Sequence, residues 1–159
     1  MTITIGIDPG LGGAIAVLNC GRFVSVTDMP TTLRGVGSVK YEVNGGALAQ
    51  LLKAAAPADV GVSVALERVN AMPGQGVSSV FSLGDSFGSA RTAVGSVGFE
   101  LHLIPPAKWK KHFGLSSDKE AARALAVRLF PEAPLGLKKY VDRAEALLIA
   151  RWLWETNYE

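Results

Sequence analysis

Three short runs at residues 2–8, 14–18 and 22–27 are rich in isoleucine and valine and separated by glycine-bearing turns, which predicts three hairpin-linked strands. Beyond residue 43 helices and strands alternate. Residues 44–56 have Asn44 at an N-cap position, helix formers throughout and Pro57 just beyond, and predict an amphipathic helix. A fourth strand is expected over 60–66. Residues 77–97 repeat Val80, Phe81, Phe87, Ala90 and Val94 at roughly helical spacing among glycines and serines, the pattern of a long helix with a small-residue face. A strand over 101–104 is closed by Pro105 and Pro106. Ser117 with Glu120 three residues on fits a capping box that opens a helix to Phe130, and 142–156 reads as the terminal helix. Residues 33–38 and 71–76 read as loops. The order β-β-β-α-β-α-β-α-α implies an α/β fold with a mixed five-stranded sheet, three antiparallel strands then two parallel, flanked by helices.

At 159 residues and 48% hydrophobic, the chain fits a single domain over 1–159 that buries a core unaided. Cys20 is the one cysteine, so no internal disulfide and no Cys/His zinc cluster are expected, which suits a reducing interior. The first residues lack a basic leader, and no apolar run approaches the ~20 residues that span a bilayer. The expectation is a soluble cytoplasmic protein with no membrane contact. Net charge is only +2, but residues 105–143 hold nine Lys/Arg against four Asp/Glu, whereas 1–104 hold six against seven. That concentration favours a polyanionic partner.

Two acids end apolar strands. Asp8 is followed by Pro9 and Gly10, which stop the first strand, and Glu67 terminates VSVALE in the same way. A carboxylate at the end of a buried strand is costly without a partner, and a shared cation would supply one. Asp142 and Glu145 are three apart and project from one face of a helix. If that face lies against the strand ends, four carboxylates converge as hard ligands for Mg²⁺ or Mn²⁺, with room for two ions roughly 4 Å apart, as phosphodiester hydrolysis requires. Singly, each acid has another reading: Asp8 as a turn residue, Asp142 with Glu145 as a capping pair favoured by the helix dipole.

Three segments, IGIDPG at the start, ALERV in the middle and DRAEALLIA near the end, together resemble the RuvC family of Holliday-junction resolvases. The resemblance implies an RNase H-like fold, with Asp8, Glu67, Asp142 and Glu145 as catalytic metal ligands for a pair of Mg²⁺ or Mn²⁺ ions. It also implies a homodimer that nicks two opposed strands of branched DNA. Glu145 departs from the aspartate typical of the family but still ligates hard cations. The family's basic residues at the scissile phosphate are best matched by Lys119, in SSDKEA, and next by Lys108, in PPAKWKK. The loop NAMPGQG lies where the family engages the junction centre and offers Met72 with no aromatic, so structure-selective cutting of branched DNA is as much an expectation as sequence-selective cutting.

The rest of the basic segment, Lys110, Lys111, Arg123, Lys138 and Lys139, is expected to receive DNA backbone. His102 and His112 are expected to be packed or surface residues, and Trp152 and Trp154 to fill core and interface. Two other classes compete. The glycine-rich IGIDPGLGGAIAV also resembles the phosphate hairpin of actin-like and sugar-kinase phosphotransferases, although one copy in this length leaves no room for their second domain. A catalytically reduced junction-binding protein would have lost one of the acids, and all four are present.

Overall fold

The computed structural model describes residues 1–158. Strands β1 (Ile3–Asp8), β2 (Ala14–Asn19) and β3 (Arg22–Asp28) form the antiparallel half of a sheet whose order is β3-β2-β1-β6-β7. Between the halves run a small hairpin of β4 (Thr31–Leu33) and β5 (Tyr41–Val43) and helix α1 (Gly45–Ala55). Strand β6 (Val62–Glu67) then joins β1 in parallel, and β7 (Glu100–Ile104) joins β6 in parallel, with α2 (Val77–Ser96) crossing between them. Helices α3 (Pro106–His112), α4 (Lys119–Leu129) and α5 (Val141–Asn157) complete the chain. The mixed five-stranded sheet expected from the element order is present, three strands antiparallel and two parallel.

The two faces of the sheet bury two cores, and strand parity decides which residue enters which. Ile3, Ile5, Ile7, Ile15, Val17, Val64 and Leu66 join Leu48 and Leu52 of α1 and Ala90 and Val94 of α2. The alternate positions Ala14, Ala16, Leu18 and Ala65 join Ala144, Ala146, Leu147 and Ala150 of α5. Burial on both faces makes β1 buried at every position and explains why its sequence is apolar without a solvent-facing register. The α5 face is built from small residues so that the helix can come close. At Gly6 a Cβ would stand 2.1 Å from the Ala146 carbonyl oxygen and 2.4 Å from the Ala150 nitrogen. Gly6→Ala should therefore destabilise the protein by the upper end of the ~1–3 kcal/mol typical of overpacking, or more, because both clashing atoms are backbone. A melting temperature unchanged in that variant would disprove the close approach.

Three local features differ from the sequence expectation. Residues 34–38 are loop as expected, but they connect a β4–β5 hairpin that the sequence does not disclose, because its strands of three residues are too short to carry a readable alternation. Pro105 and Pro106 close β7 and also open α3: Pro106 stands at the first helical position, where a missing N–H costs nothing. In α4 the cap is Asp118 rather than Ser117, its carboxylate accepting from the Glu120 backbone N–H at 3.0 Å. Asn44 caps α1 as expected, accepting from the Ala47 N–H at 3.0 Å. Among the described residues no helix is long and apolar enough to cross a membrane.

Candidate metal centre

Parity puts Asp8 and Glu67 on the α5 side. Each lies an even number of residues from a small residue on that face, Gly6 for Asp8 and Ala65 for Glu67, and β1 and β6 are paired up to Ile7 and Leu66. The turn after Asp8 holds it in place. Gly13 donates its N–H to the Gly10 carbonyl at 3.1 Å, and a Cβ on Gly13 would lie 2.0 Å from the Asp8 carbonyl oxygen, so β2 can return beside β1 only with glycine there. Helix α5 runs over β1 and delivers its first turns to the strand ends. Asp142 and Glu145 enter from those turns.

Asp8, Asp142 and Glu145 each offer a carboxylate oxygen, and the three lie within 4.8 Å of one another, with Asp8 and Glu145 buried. Burial above all, then the negative charges of Glu67, Glu145 and Asp142, pushes the Asp8 carboxyl well above its ordinary range, while Lys119 pulls it back. Glu67 lines the same depression but stands outside the triad. Its Oε1 accepts a 2.9 Å hydrogen bond from the indole Nε1 of Trp109. Burial raises the Glu67 pKa as well, against that hydrogen bond. Three crowded, partly desolvated carboxylates repel one another, and hard oxygen donors of this kind suit Mg²⁺ or Mn²⁺. The donor set therefore fits a divalent cation.

Two lysines reach the mouth of the depression. Lys119, in the first turn of α4, places Nζ 3.8 Å from Asp142 Oδ1, and Lys110, on α3, places Nζ 3.6 Å from Glu145 Oε1. Lys119 lines the depression. Sequence alone groups Lys110 with Lys111 as backbone contacts, yet the structure separates them: Lys110 lines the acidic depression, and Lys111 is exposed. Trp109, which the sequence analysis does not single out, is fully buried with its indole on Glu67. A bulky indole in a lysine-rich run was the available signal, because it marks which side of a short helix faces inward.

The remaining candidates lie elsewhere. Lys108 is exposed, with Nζ 5.4 Å from the Trp152 ring centroid, and does not line the depression. The Arg123 guanidinium is bound to Glu120 and to the Leu135 carbonyl at 2.7 Å. Lys138 and Lys139 are exposed, and Lys139 borders a neighbouring hollow with Tyr140 and Asp142. Met72 is 62% exposed on the loop before α2, where the Gln75 side chain accepts from its N–H at 2.8 Å. His112 Nε2 is 2.7 Å from Glu155, which also accepts from Arg151. His102 stands 3.4 Å from Glu100, and Trp152 is buried in the core. On α2, Phe81 is 64% exposed while Phe87 packs against the core.

No family model matches the sequence, and no curated protein matches it. Solved structures do match. Over 98% of this chain and 95% of the other, the protein superposes on T. thermophilus RuvC in complex with Holliday junction substrate, with a TM-score of 0.66 at 19% identity. A second Thermus thermophilus RuvC structure matches over 97% and 96% of the two chains, with a TM-score of 0.56 at 15% identity. The fold is thus the RNase H-like one. Within that class it is the arrangement found in RuvC, shared over nearly the whole chain.

Proposed function

We propose that this protein is a divalent-metal-dependent DNA endonuclease that cuts Holliday junctions or other branched DNA by paired nicks, acting as a homodimer in recombination and repair. The observation that supports it most is the convergence of Asp8, Asp142 and Glu145, with Glu67 beside them, at the sheet ends of a RuvC-like fold. The four acids are the residues that would hold Mg²⁺ or Mn²⁺, as a pair of ions. Bound there, such ions supply an activated water and stabilise the charge that develops as a phosphodiester is hydrolysed.

The chain's own residues do the rest. Lys110 and Lys119, at the mouth, attract the scissile phosphate and stay close to the charge that grows in the transition state. Exposed Lys111, Lys138 and Lys139 hold phosphates farther along the backbone, and Lys108 adds to the same field. Met72 sits on a loop able to meet the junction centre. It offers an apolar wedge without a stacking ring, which favours recognition of branch shape over base sequence. A four-way junction is two-fold symmetric, so a pair of opposed nicks calls for a two-fold pair of sites, and Phe81 on α2 is an exposed apolar group available to that contact.

The test is a synthetic four-way junction incubated with the purified protein and Mg²⁺ or Mn²⁺. Symmetric nicks in opposed strands, dependent on the cation and weakened by rising salt, are the expected result. Absence of nicking with either ion, or equal cutting of plain duplex, overturns the proposal.

A further inference from the structure

Trp109 is fully buried on a helix of seven residues and is the largest of the fully buried side chains among the described residues. A buried indole N–H has a single proton to donate and needs a partner for it. Here the partner is the one acid of the four that stands outside the triad: Nε1 gives its proton to Glu67 Oε1 at 2.9 Å. The same indole lies near a second member of the site. Lys110 Nζ is 5.2 Å from the Trp109 ring centroid and 3.6 Å from Glu145 Oε1, so one rigid side chain stands beside both an acid and a cation of the depression.

Glutamate at a strand end has three side-chain torsions to order before its carboxylate can ligate. The indole fixes that carboxylate through Oε1 and leaves Oε2 available as a ligand. We infer that Trp109 is a positioning residue of the metal centre, holding Glu67 in the pose that completes the site for a second divalent cation. The inference rests on the nuclease reading above. It predicts that ion affinity depends on an indole that touches neither ion nor DNA.

Trp109→Phe keeps an aromatic ring in the core and removes the donor. Calorimetric titration of the metal-free protein with Mn²⁺ should then show one of two binding events weakened about tenfold, the scale on which outer-shell partners of metal ligands act. The decisive measurement is the double-mutant comparison. In a Glu67→Gln background, Trp109→Phe should leave Mn²⁺ binding unchanged, because its effect runs through that carboxylate. If the two substitutions weaken Mn²⁺ binding independently, Trp109 acts by packing alone and the inference falls, while the nuclease reading stands. Wild-type protein that binds no Mn²⁺ and nicks no junction sinks both. Should Trp109→Phe fail to fold, the wild-type protein carries the test: its indole ¹H–¹⁵N resonances are followed during Mg²⁺ titration. One of them should shift saturably in wild type and stay still in Glu67→Gln. Three unresponsive indoles would overturn the inference.

Discussion

Asp8→Asn is expected to abolish junction cleavage and, without metal, to make the protein more stable than wild type. On the proposed nuclease reading, the first effect comes from losing one of the carboxylates that would hold the metal. It should exceed the hundredfold or so that marks the upper end for outer-shell residues. The second comes from the charge crowding. Burial and three neighbouring carboxylates raise the Asp8 pKa in the folded state above the value of about 3.9 it has in an unfolded chain. Between those two values the native protein holds a proton that the unfolded chain has released, so stability falls as pH rises through the window. Above it the full penalty applies.

An asparagine in place of Asp8 carries no such penalty. The metal-free variant should melt higher than wild type at neutral pH, by about 2–4 °C for each kcal/mol relieved in a chain of this size, and the gap should close on acidification towards pH 4. Mg²⁺ should raise the melting temperature of wild type and leave the variant almost unmoved. Thermal scans across pH 4–8, with chelator and with Mg²⁺, measure both, and junction binding in chelator should be preserved. Cleavage by the Asp8→Asn variant at the wild-type rate, or coincident melting curves at every pH, would refute the shared acidic site.

How much of this is legible in the sequence depends on periodicity. Asp8 and Glu67 can be placed because a strand has a period of two and each acid ends one, and Asp142 and Glu145 because three residues make most of a helical turn. Those patterns are local, and so is the Asn44 cap. The β4–β5 hairpin escapes because strands of three residues hold too few alternations to register. Helix α3 escapes because Pro105 and Pro106 carry two meanings, the end of one element and the start of another. With α3 go Trp109 and the role of Lys110: once the helix is known, a buried tryptophan fixes which way its neighbours face, and Lys110 leaves the surface set. Arg123 looks like its neighbours in sequence. It differs from them only through Glu120 and the Leu135 carbonyl, and the latter is a tertiary partner no spacing discloses.

That division of the basic segment gives the second large expected effect. Lys110→Ala should slow single-turnover cleavage at saturating junction by about 10²–10³-fold, the cost of removing one group aimed at developing charge, while affinity changes little. Lys111→Ala, one residue on and exposed, should do the reverse: weaken binding to every DNA form and lower the salt slope by about one, with the rate at saturation intact. The two differ because Lys110 Nζ faces Glu145 at 3.6 Å and is 25% exposed, so its charge acts at short range with little screening. A stability signature accompanies the rate. Lys110 offsets part of the carboxylate repulsion, and its positive charge works against the rise in the Glu67 pKa. Removing it should lower the melting temperature of metal-free protein, opposite in sign to Asp8→Asn, and Mg²⁺ should recover more of that loss than it adds to wild type. Equal single-turnover rates for Lys110→Ala and wild type, with binding weakened instead, would return Lys110 to the ordinary backbone contacts and leave the cationic role at the mouth of the site to Lys119.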